Sequence, residues 1–274
     1  MKSILVVEGN TPAACEHAAQ FGQASQSENY VATLLSLAAD LRVSVTRPAD
    51  LSTVPIDPAT LKSCDGVVFT GSSLHAYDTE PEIIRQIDLM KRCFDAGKSV
   101  FGSCWGLQIA VVACDGVVEP NTRGRELGIA RRIQVTDSGK QHFLFRDKAP
   151  VFDAIAIHLD HVARLPTGAE VLASNAMSNV QAMSMRVGNS QFVGVQYHPE
   201  FSFTYMSKLF LRYRDMLLSE GFSTSDQSID ELVADYIALD APAISDVQWR
   251  YGIGSGLTTP ADRLREISNW LETL

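Results

Sequence analysis

The sequence is poor in positive charge and in long apolar runs, and each shortage excludes a class of protein. Only 23 Lys and Arg residues stand against 32 Asp and Glu residues, which gives a formal net charge of −9. Nucleic-acid binders normally carry a basic surface, so this balance disfavours that class. No run approaches the roughly 18 consecutive apolar residues of a membrane-spanning helix, so we expect no membrane association.

Cysteine is also scarce, and its spacing excludes a disulfide framework. The five cysteines are scattered, with no C-x-x-C pair. The first residues, MKSILVVEGNTPA, contain an apolar run too short for a secretory signal peptide. We therefore expect a cytoplasmic protein, in which an unusually placed cysteine is more often catalytic than structural. Four cysteines fall in or near apolar segments and are interpreted as small buried hydrophobes: Cys15, Cys64, Cys93 and Cys114.

Short apolar runs alternate with helical patterns over the first half of the chain. Ile4–Val7 and Val67–Thr70 have the pattern of buried strands, while Glu28–Asp40 and Glu80–Ala96 have helical periodicity. This alternation predicts an α/β fold: a three-layer, open, mostly parallel twisted sheet with helices on both faces. Short strands follow from about residue 129, and we interpret them as antiparallel additions to the same sheet. We predict a catalytic domain over residues 1–220 and a helical extension over residues 221–274.

A strand ending at Gly102 runs into Gly-Ser-Cys-Trp-Gly, and a helix follows. This is the nucleophile-elbow pattern, with Cys104 in place of serine. A sharp strand-to-helix turn strains the backbone at the nucleophile, so the residues two positions away on each side must be small. The helix beginning at Trp105 directs its N-terminus at the sulfur, which favours the reactive thiolate. The backbone N–H of Trp105 is placed to donate to an oxyanion.

A cysteine nucleophile needs a base, and the sequence offers one after a later strand. Val193–Gln196 leads into Tyr-His-Pro-Glu. His198 can take the thiol proton and return it to a leaving amine, while Glu200 can orient the imidazole and stabilise its charged form. Each motif alone is more often structural, but the two together strongly favour a catalytic Cys104–His198–Glu200 triad.

These two motifs resemble those of the class I glutamine amidotransferases, and the resemblance covers roughly residues 1–220. It implies that Cys104 attacks a γ-carbonyl and forms a γ-glutamyl thioester. It also implies an oxyanion hole made by Gly71, Ser72 and Trp105, although Gly-Ser-Ser stands here where many members have Gly-Gly. Finally, the resemblance implies a set of substrate-binding residues: Gln108, Arg125, His158 and Asp160.

The resemblance leaves the acceptor of the released nitrogen open. Neither a phosphate-binding loop nor a Ser-Gly-Gly-x-Asp-Ser nucleotide loop is found, so we expect no cofactor. The leading hypothesis is a stand-alone hydrolase that converts glutamine or an N-substituted γ-glutamyl amide to glutamate and ammonia or an amine. One alternative is a glutaminase subunit that supplies a separate synthetase chain. The other is a non-hydrolytic regulator of the DJ-1-like type, which the His-Pro-Glu motif disfavours.

Three further features allow more than one interpretation. His158 and His161 have the i,i+3 spacing of a ligand pair, with Asp160 between them, but no further ligand stands out, so we predict no metal site. His75 could line the pocket or lie on a solvated loop. The C-terminal residues could pack on the core, close over the pocket or form a homodimer contact, with packing on the core as the default.

Overall fold

The computed structural model describes residues 1–241 and 246–274. The strands in these residues are β1 (Ser3–Val7), β2 (Arg42–Thr46), β3 (Gly66–Phe69), β4 (Ser99–Ser103), β5 (Val117–Pro120), β6 (Glu126–Val135), β7 (Val151–His158), β8 (Asp160–Arg164), β9 (Glu170–Ser174), β10 (Ala182–Val187) and β11 (Ser190–Val195). The α-helices are α1 (Pro12–Gln20), α2 (Gln26–Leu37), α3 (Pro58–Ser63), α4 (Pro81–Asp95), α5 (Trp105–Ala113), α6 (Asp137–Gln141), α7 (Phe203–Arg212), α8 (Arg214–Ser219), α9 (Asp226–Leu239), α10 (Asp246–Arg250), α11 (Ser255–Thr258), α12 (Pro260–Arg263) and α13 (Arg265–Glu272).

A nine-stranded sheet forms the centre of the molecule, in the order β2-β1-β3-β4-β11-β10-β9-β6-β7. The first five strands in this order are parallel, and β10, β9, β6 and β7 extend the sheet by antiparallel pairing. Strands β5 and β8 form a separate two-stranded sheet. The α/β fold predicted from the sequence is confirmed. Parallel strands β3, β4 and β11 are neighbours, so the loops that follow them meet at one edge.

Two helical features differ from the periodicity expected from the sequence. Apolar residues at helical spacing predict one helix over Ser202–Glu220, but it is interrupted at Tyr213, whose backbone angles (φ −104°, ψ 26°) leave the helical range between α7 and α8. Helix α1 has no strong apolar periodicity, since Ala18 is its only buried residue. Local signals mark the start of this helix instead: Thr11 caps its N-terminus, and Pro12 occupies its first turn.

Helix α13 packs on the central sheet. The Trp270 ring lies 5.7 Å from that of Phe101, and its indole N–H donates to the Ser99 hydroxyl at 2.9 Å. A Cβ atom on Gly66 of β3 would lie 2.8 Å from the same ring, so glycine is needed there for close approach. The fully buried Glu266 carboxylate accepts a hydrogen bond from Tyr197 at 2.6 Å. The C-terminal helix thus contacts the residue that directly precedes His198.

Within residues 1–241 and 246–274, every helix is too short or too polar to cross a lipid bilayer.

We predict that Trp270→Ala destabilises the protein by about 3–5 kcal/mol, because it removes a large side chain that is 1 % exposed and leaves a cavity beside Phe101. Urea unfolding followed by circular dichroism measures this loss. Trp249→Ala is the matched control, since Trp249 is 86 % exposed and its removal should change the free energy of unfolding by no more than about 0.5 kcal/mol. Equal effects of the two substitutions would contradict the packing described for α13.

Candidate active site

Cys104 stands at the junction of β4 and α5 in a strained backbone conformation. Its φ of 49° and ψ of −97° are unusual for a residue with a side chain. Its own N–H donates to the Val195 carbonyl of β11 at 2.7 Å, which ties the turn to the neighbouring strand. Trp105 is the first residue of α5, so its N–H has no partner within the helix and faces the turn.

Two glycines allow this turn to form. A Cβ atom on Gly102 would lie 2.6 Å from the carbonyl carbon of Gly106, and one on Gly106 would lie 2.5 Å from the Phe69 carbonyl oxygen. Both distances are shorter than real Cβ contacts, so any larger residue would force the strand and helix apart. The close approach explains in steric terms why glycine stands two residues before and two residues after Cys104.

His198 and Glu200 follow β11 and form a buried hydrogen-bonded pair. The His198 Nδ1 and Glu200 Oε1 atoms are 2.7 Å apart, and both residues are buried. The second carboxylate oxygen of Glu200 accepts from the Ser103 hydroxyl at 3.0 Å. Ser103 in turn lies 2.6 Å from the Tyr30 hydroxyl of α2. Both oxygens of the Glu200 carboxylate are therefore hydrogen-bonded, one to the His198 imidazole and the other to the Ser103 hydroxyl.

The electrostatic surroundings of His198 favour its protonated form. Burial on its own would lower its pKa, but the Glu200 carboxylate and the neighbouring Cys104 sulfur together raise the pKa from 6.5 to about 10. The Phe201 ring stacks on the imidazole, with centroids 3.9 Å apart and planes 6° from parallel, so it also restricts ring rotation. At neutral pH His198 is therefore a fixed proton donor beside Cys104.

The loop after β3 lies against the imidazole. A Cβ atom on Gly71 would be 2.7 Å from His198 Cε1, so glycine is required for this approach. The Ser72 hydroxyl donates to the Gly9 carbonyl at 2.9 Å, and the Ser73 N–H donates to the Asn10 side chain at 3.0 Å. These bonds attach the loop to the end of β1, with Gly71 beside His198 and Ser72 at the cavity that Cys104 also borders.

A cavity of about 330 Å³ opens over the Cys104 sulfur. Gln108 borders it and donates to the Asp160 carbonyl at 3.2 Å. The carboxylate of Asp160 lies 2.6 Å from Nδ1 of His75, which also lines the cavity. Gln196 donates to the Cys104 sulfur at 3.5 Å. One side of the cavity thus carries a buried carboxylate and amide groups, which suits the charged end of an amino acid.

The other two residues carried over from the resemblance also border the cavity, but each already has a partner. Arg125 forms a bidentate ion pair with Glu220, at 2.9 and 3.0 Å. The two nitrogens of His158 face Glu126 Oε2 at 2.9 Å and the Asp160 carbonyl at 3.0 Å. His158 therefore links the Glu126 carboxylate to the backbone at Asp160.

Several neighbours of the site were not found from the sequence. Tyr30 and Ser103 support Glu200, Phe201 stacks on His198, and Glu126 holds His158. Tyr30 lies in the apolar pattern of a predicted helix, which carries no sign of a hydrogen bond to a residue 73 positions later. Phe201 could have been noticed, since it directly follows the His-Pro-Glu motif.

No cluster of three or more His, Cys, Asp or Glu side chains suited to a metal ion occurs in residues 1–241 and 246–274. His161 lies 3.9 Å from Glu119 and takes no part in the His158–Glu126 hydrogen bond.

Comparison with known proteins identifies the family. The profile of the family described as "Glutamine amidotransferase class-I" matches residues 23–216. The chain belongs to the class I glutamine amidotransferases. Among the relatives of this amidotransferase is γ-glutamyl-L-1-hydroxyisopropylamide hydrolase of a Pseudomonas species, 33% identical over 99% of this chain and 92% of the relative. Family and relatives together make the protein an enzyme of the amidohydrolase type.

A second relative is larger than this amidotransferase. GMP synthase (glutamine-hydrolysing) of Neisseria meningitidis serogroup C is 28% identical over 66% of this chain but only 33% of its own length. Among solved structures, a glutamine amidotransferase from Thermotoga maritima matches with a TM-score of 0.70. That likeness covers 99% of this chain and 97% of the other at 14% identity, and it supports the fold alone.

We predict that limiting iodoacetamide at about pH 7 labels Cys104 before the other cysteines. Its sulfur borders the cavity beside a protonated imidazole, whereas burial raises the pKa of Cys15 to about 11 and that of Cys93 to about 12. Peptide mapping by mass spectrometry measures the rate at each cysteine. His198→Asn should slow labelling at Cys104 and leave the rate at Cys15 unchanged. Labelling of Cys15 ahead of Cys104 would contradict the assignment.

Proposed function

We propose that this amidotransferase hydrolyses the γ-amide bond of glutamine or an N-substituted γ-glutamyl amide, through a thioester on Cys104. The observation that carries the proposal is the arrangement of three side chains at one cavity. Cys104 stands on a strained turn, His198 is protonated beside it, and Glu200 holds the imidazole at 2.7 Å. This constellation can supply both a nucleophile and a proton.

In the first half of the reaction, the Cys104 thiolate attacks the γ-carbonyl carbon and the carbonyl oxygen becomes an oxyanion. We propose that the N–H groups of Gly71 and Trp105 donate to this oxygen, with the Ser72 N–H as a further donor. His198 then protonates the leaving nitrogen, the C–N bond breaks, and an amine or ammonia departs. A γ-glutamyl thioester on Cys104 remains.

In the second half, water replaces the amine. Neutral His198 takes a proton from the water, the oxygen attacks the thioester carbon, and the C–S bond breaks. Glutamate leaves, and His198 and Cys104 return to the imidazolium–thiolate pair. Glu200 keeps the imidazole in the same orientation through both halves, because its second oxygen is fixed by Ser103.

We propose that the α-amino and α-carboxylate groups of the glutamyl moiety bind at the polar side of the cavity. Asp160 is the acceptor for the ammonium group, and Gln108 borders the same region. Arg125 borders the cavity with its charge paired by Glu220, so binding the α-carboxylate there requires it to share its guanidinium, and His158 acts by supporting the backbone of Asp160. The net charge of −9 offers no general attraction for an acidic substrate, so these local contacts must provide it.

We favour a stand-alone hydrolase over a subunit of a larger amidotransferase. The similarity to a γ-glutamyl amide hydrolase extends over 92% of that protein, whereas the similarity to GMP synthase covers 33% of it. All the residues to which we give a role come from one chain, so the reaction as proposed needs neither a synthetase nor a second copy. We propose the cytoplasm as its location, since all five cysteines are free.

The experiment that tests the function uses purified protein, without a partner, on a panel of γ-glutamyl amides, with released glutamate as the readout. We predict turnover by the wild-type enzyme and a loss of at least about 1,000-fold in Cys104→Ala. His198→Ala should lose about 100-fold or more, because the leaving nitrogen then receives no positioned proton. Full activity of Cys104→Ala would refute the mechanism.

The controls separate the alternatives. Cys114→Ala removes a cysteine outside the cavity and should keep wild-type rates. Weak turnover that rises strongly when a co-purifying synthetase is added would favour the glutaminase subunit. No turnover on any amide, with or without other proteins, would favour a non-hydrolytic regulator.

The pKa of His198 predicts the pH dependence. Because that pKa is raised to about 10, the protonated imidazole persists through neutral pH and is lost only as the pH rises through that value. The alkaline limb of kcat/KM should therefore lie near pH 10 in the wild-type enzyme. Glu200→Gln removes a cause of the raised pKa, so its alkaline limb should move to lower pH.

Steady-state rates over a series of buffers measure this limb. Glu16→Gln removes an exposed carboxylate from α1 and should leave the profile unchanged. An alkaline limb at the same pH in wild type and Glu200→Gln would contradict the electrostatic role given to Glu200.

A further inference from the structure

The buried amide of Gln196 lies against the nucleophilic sulfur. Gln196 follows directly after β11 and is 0 % exposed. Its Nε2 atom donates to the Cys104 sulfur at 3.5 Å. The preceding residue, Val195, accepts from the Cys104 N–H at 2.7 Å. Two adjacent residues of one segment therefore contact both the backbone and the sulfur of Cys104.

A chain of hydrogen bonds determines which atom of the Gln196 amide faces the sulfur. Gln108 Nε2 donates to the backbone carbonyl of Asp160 at 3.2 Å, and a backbone carbonyl can only accept. The same nitrogen also donates to Gln196 Oε1 at 3.4 Å. Because Gln108 occupies the oxygen of Gln196, the NH₂ group of Gln196 is left to face Cys104. The opposite orientation would set two donors against each other at Gln108.

A second polar neighbour of the sulfur acts in the opposite direction. The backbone carbonyl oxygen of Ile157 lies 3.8 Å from the Cys104 sulfur and accepts a hydrogen bond from the thiol form. A carbonyl oxygen carries partial negative charge, so it repels a thiolate. The N–H of Gln196 attracts the thiolate for the same electrostatic reason, and it is already in place before the charge forms. Of these two neighbours, only Gln196 stabilises the charged nucleophile.

We propose that Gln196 is a further catalytic residue, whose amide N–H stabilises the Cys104 thiolate alongside His198. This inference rests on the proposed hydrolysis and adds a second donor at the sulfur. The N–H favours the thiolate before the attack, and the sulfur loses its charge when the thioester forms. When the C–S bond breaks, the electron pair returns to the sulfur, and the same N–H stabilises the restored charge. Gln108 orients this amide and also borders the cavity, so it connects substrate binding to the nucleophile.

Other charges also act on the sulfur. Six groups that are charged or can become charged near neutral pH border the same cavity: His75, Arg125, His158, Asp160, His198 and Arg212. Three carboxylates pair with members of this set: Glu200 with His198, Glu126 with His158 and Glu220 with Arg125. A neutral substitution at Gln196 removes none of these charges, so a comparison of variant and wild type isolates the N–H group.

The test measures the pH at which Cys104 becomes reactive, in the absence of substrate. The rate of alkylation by iodoacetamide is followed between about pH 3 and pH 9 with peptide mapping, and its midpoint marks formation of the thiolate. In Gln196→Met this midpoint should rise by about one pH unit, because a hydrogen bond to a charged group changes the protonation equilibrium about tenfold. The plateau rate above the midpoint should stay at or above that of the wild type, since the thiolate is equally accessible.

The same shift should appear in turnover. With a γ-glutamyl amide as substrate, the acid limb of kcat/KM should move to higher pH by about one unit in Gln196→Met, because the thiolate forms later. The alkaline limb reports the loss of the proton from His198 and should keep its wild-type position. Glu200→Gln is expected to move the alkaline limb, so the two assignments are measured separately.

A second variant and a matched control complete the design. Gln196→Leu removes the same N–H with a different shape, so it answers the question if the methionine variant does not fold. Gln181→Met is the control, because Gln181 is also 0 % exposed but its amide donates to Glu126 and Asn175. Its alkylation midpoint should equal that of the wild type.

The outcomes separate the two hypotheses. An unchanged midpoint or an unchanged acid limb in Gln196→Met and Gln196→Leu would overturn the role of Gln196 and leave the hydrolase function standing. A lower plateau rate without a shift in the midpoint would also overturn it, because altered packing has that effect, as would an equal shift in Gln181→Met. If the wild type hydrolyses no amide, the proposed function fails instead, and alkylation still decides whether Gln196 stabilises the thiolate.

Discussion

The position of the reactive thiol depends on one left-handed residue between β4 and α5. Cys104 has a φ of 49°, and the turn exists only because Gly102 and Gly106 allow strand and helix to approach within van der Waals contact. Strand β4 lies between the parallel strands β3 and β11. The loop after β3 and the His-Pro-Glu segment after β11 therefore end at the same edge of the sheet as the thiol, which is where α/β folds place their ligands.

Burial and a neighbouring carboxylate act in opposite directions on the protonation of His198 at this edge of the sheet. An isolated buried imidazole would be neutral, because desolvation disfavours its charge. Here the Glu200 carboxylate opposes that effect and raises the pKa of His198 to about 10. Ser103 donates to the second oxygen of the Glu200 carboxylate and the Asn29 side chain donates to the Glu200 backbone carbonyl, so both the side chain and the backbone of Glu200 are held in place. The proton donor, the carboxylate and their supports form one connected network.

The cavity is asymmetric, and its two sides suit the two ends of a γ-glutamyl amide. Asp160 and Gln108 make one side polar, while Leu209, Tyr213 and Met216 contribute apolar surface beside the Arg212 guanidinium on the other. The C-terminal helix stabilises the scaffold from elsewhere, since Glu266 accepts a hydrogen bond from Tyr197, the residue before His198. Residues at the end of the chain thus contribute to the position of the imidazole.

Local patterns were sufficient for part of this description. Glycine spacing around Cys104 predicted a turn, apolar periodicity predicted the α/β sheet, and the His-Pro-Glu motif predicted a partner for the thiol. These signals are readable because each depends on residues that are neighbours in the chain. The break at Tyr213 and the weakly amphipathic helix α1 were not predicted, since tertiary packing rather than periodicity decides them.

The sequence by itself determined the family and the fold class and predicted the nucleophile, because strand-to-helix turns and their flanking glycines are local requirements. Only the tertiary structure decided what supports Glu200 and which side chains surround Gly71. Tyr30 and Ser103 are 73 positions apart, and Gln26 meets Gly71 and His198 only after the sheet has brought three distant segments together. Contacts of this kind depend on strand order, for which no single segment of the chain carries a signal.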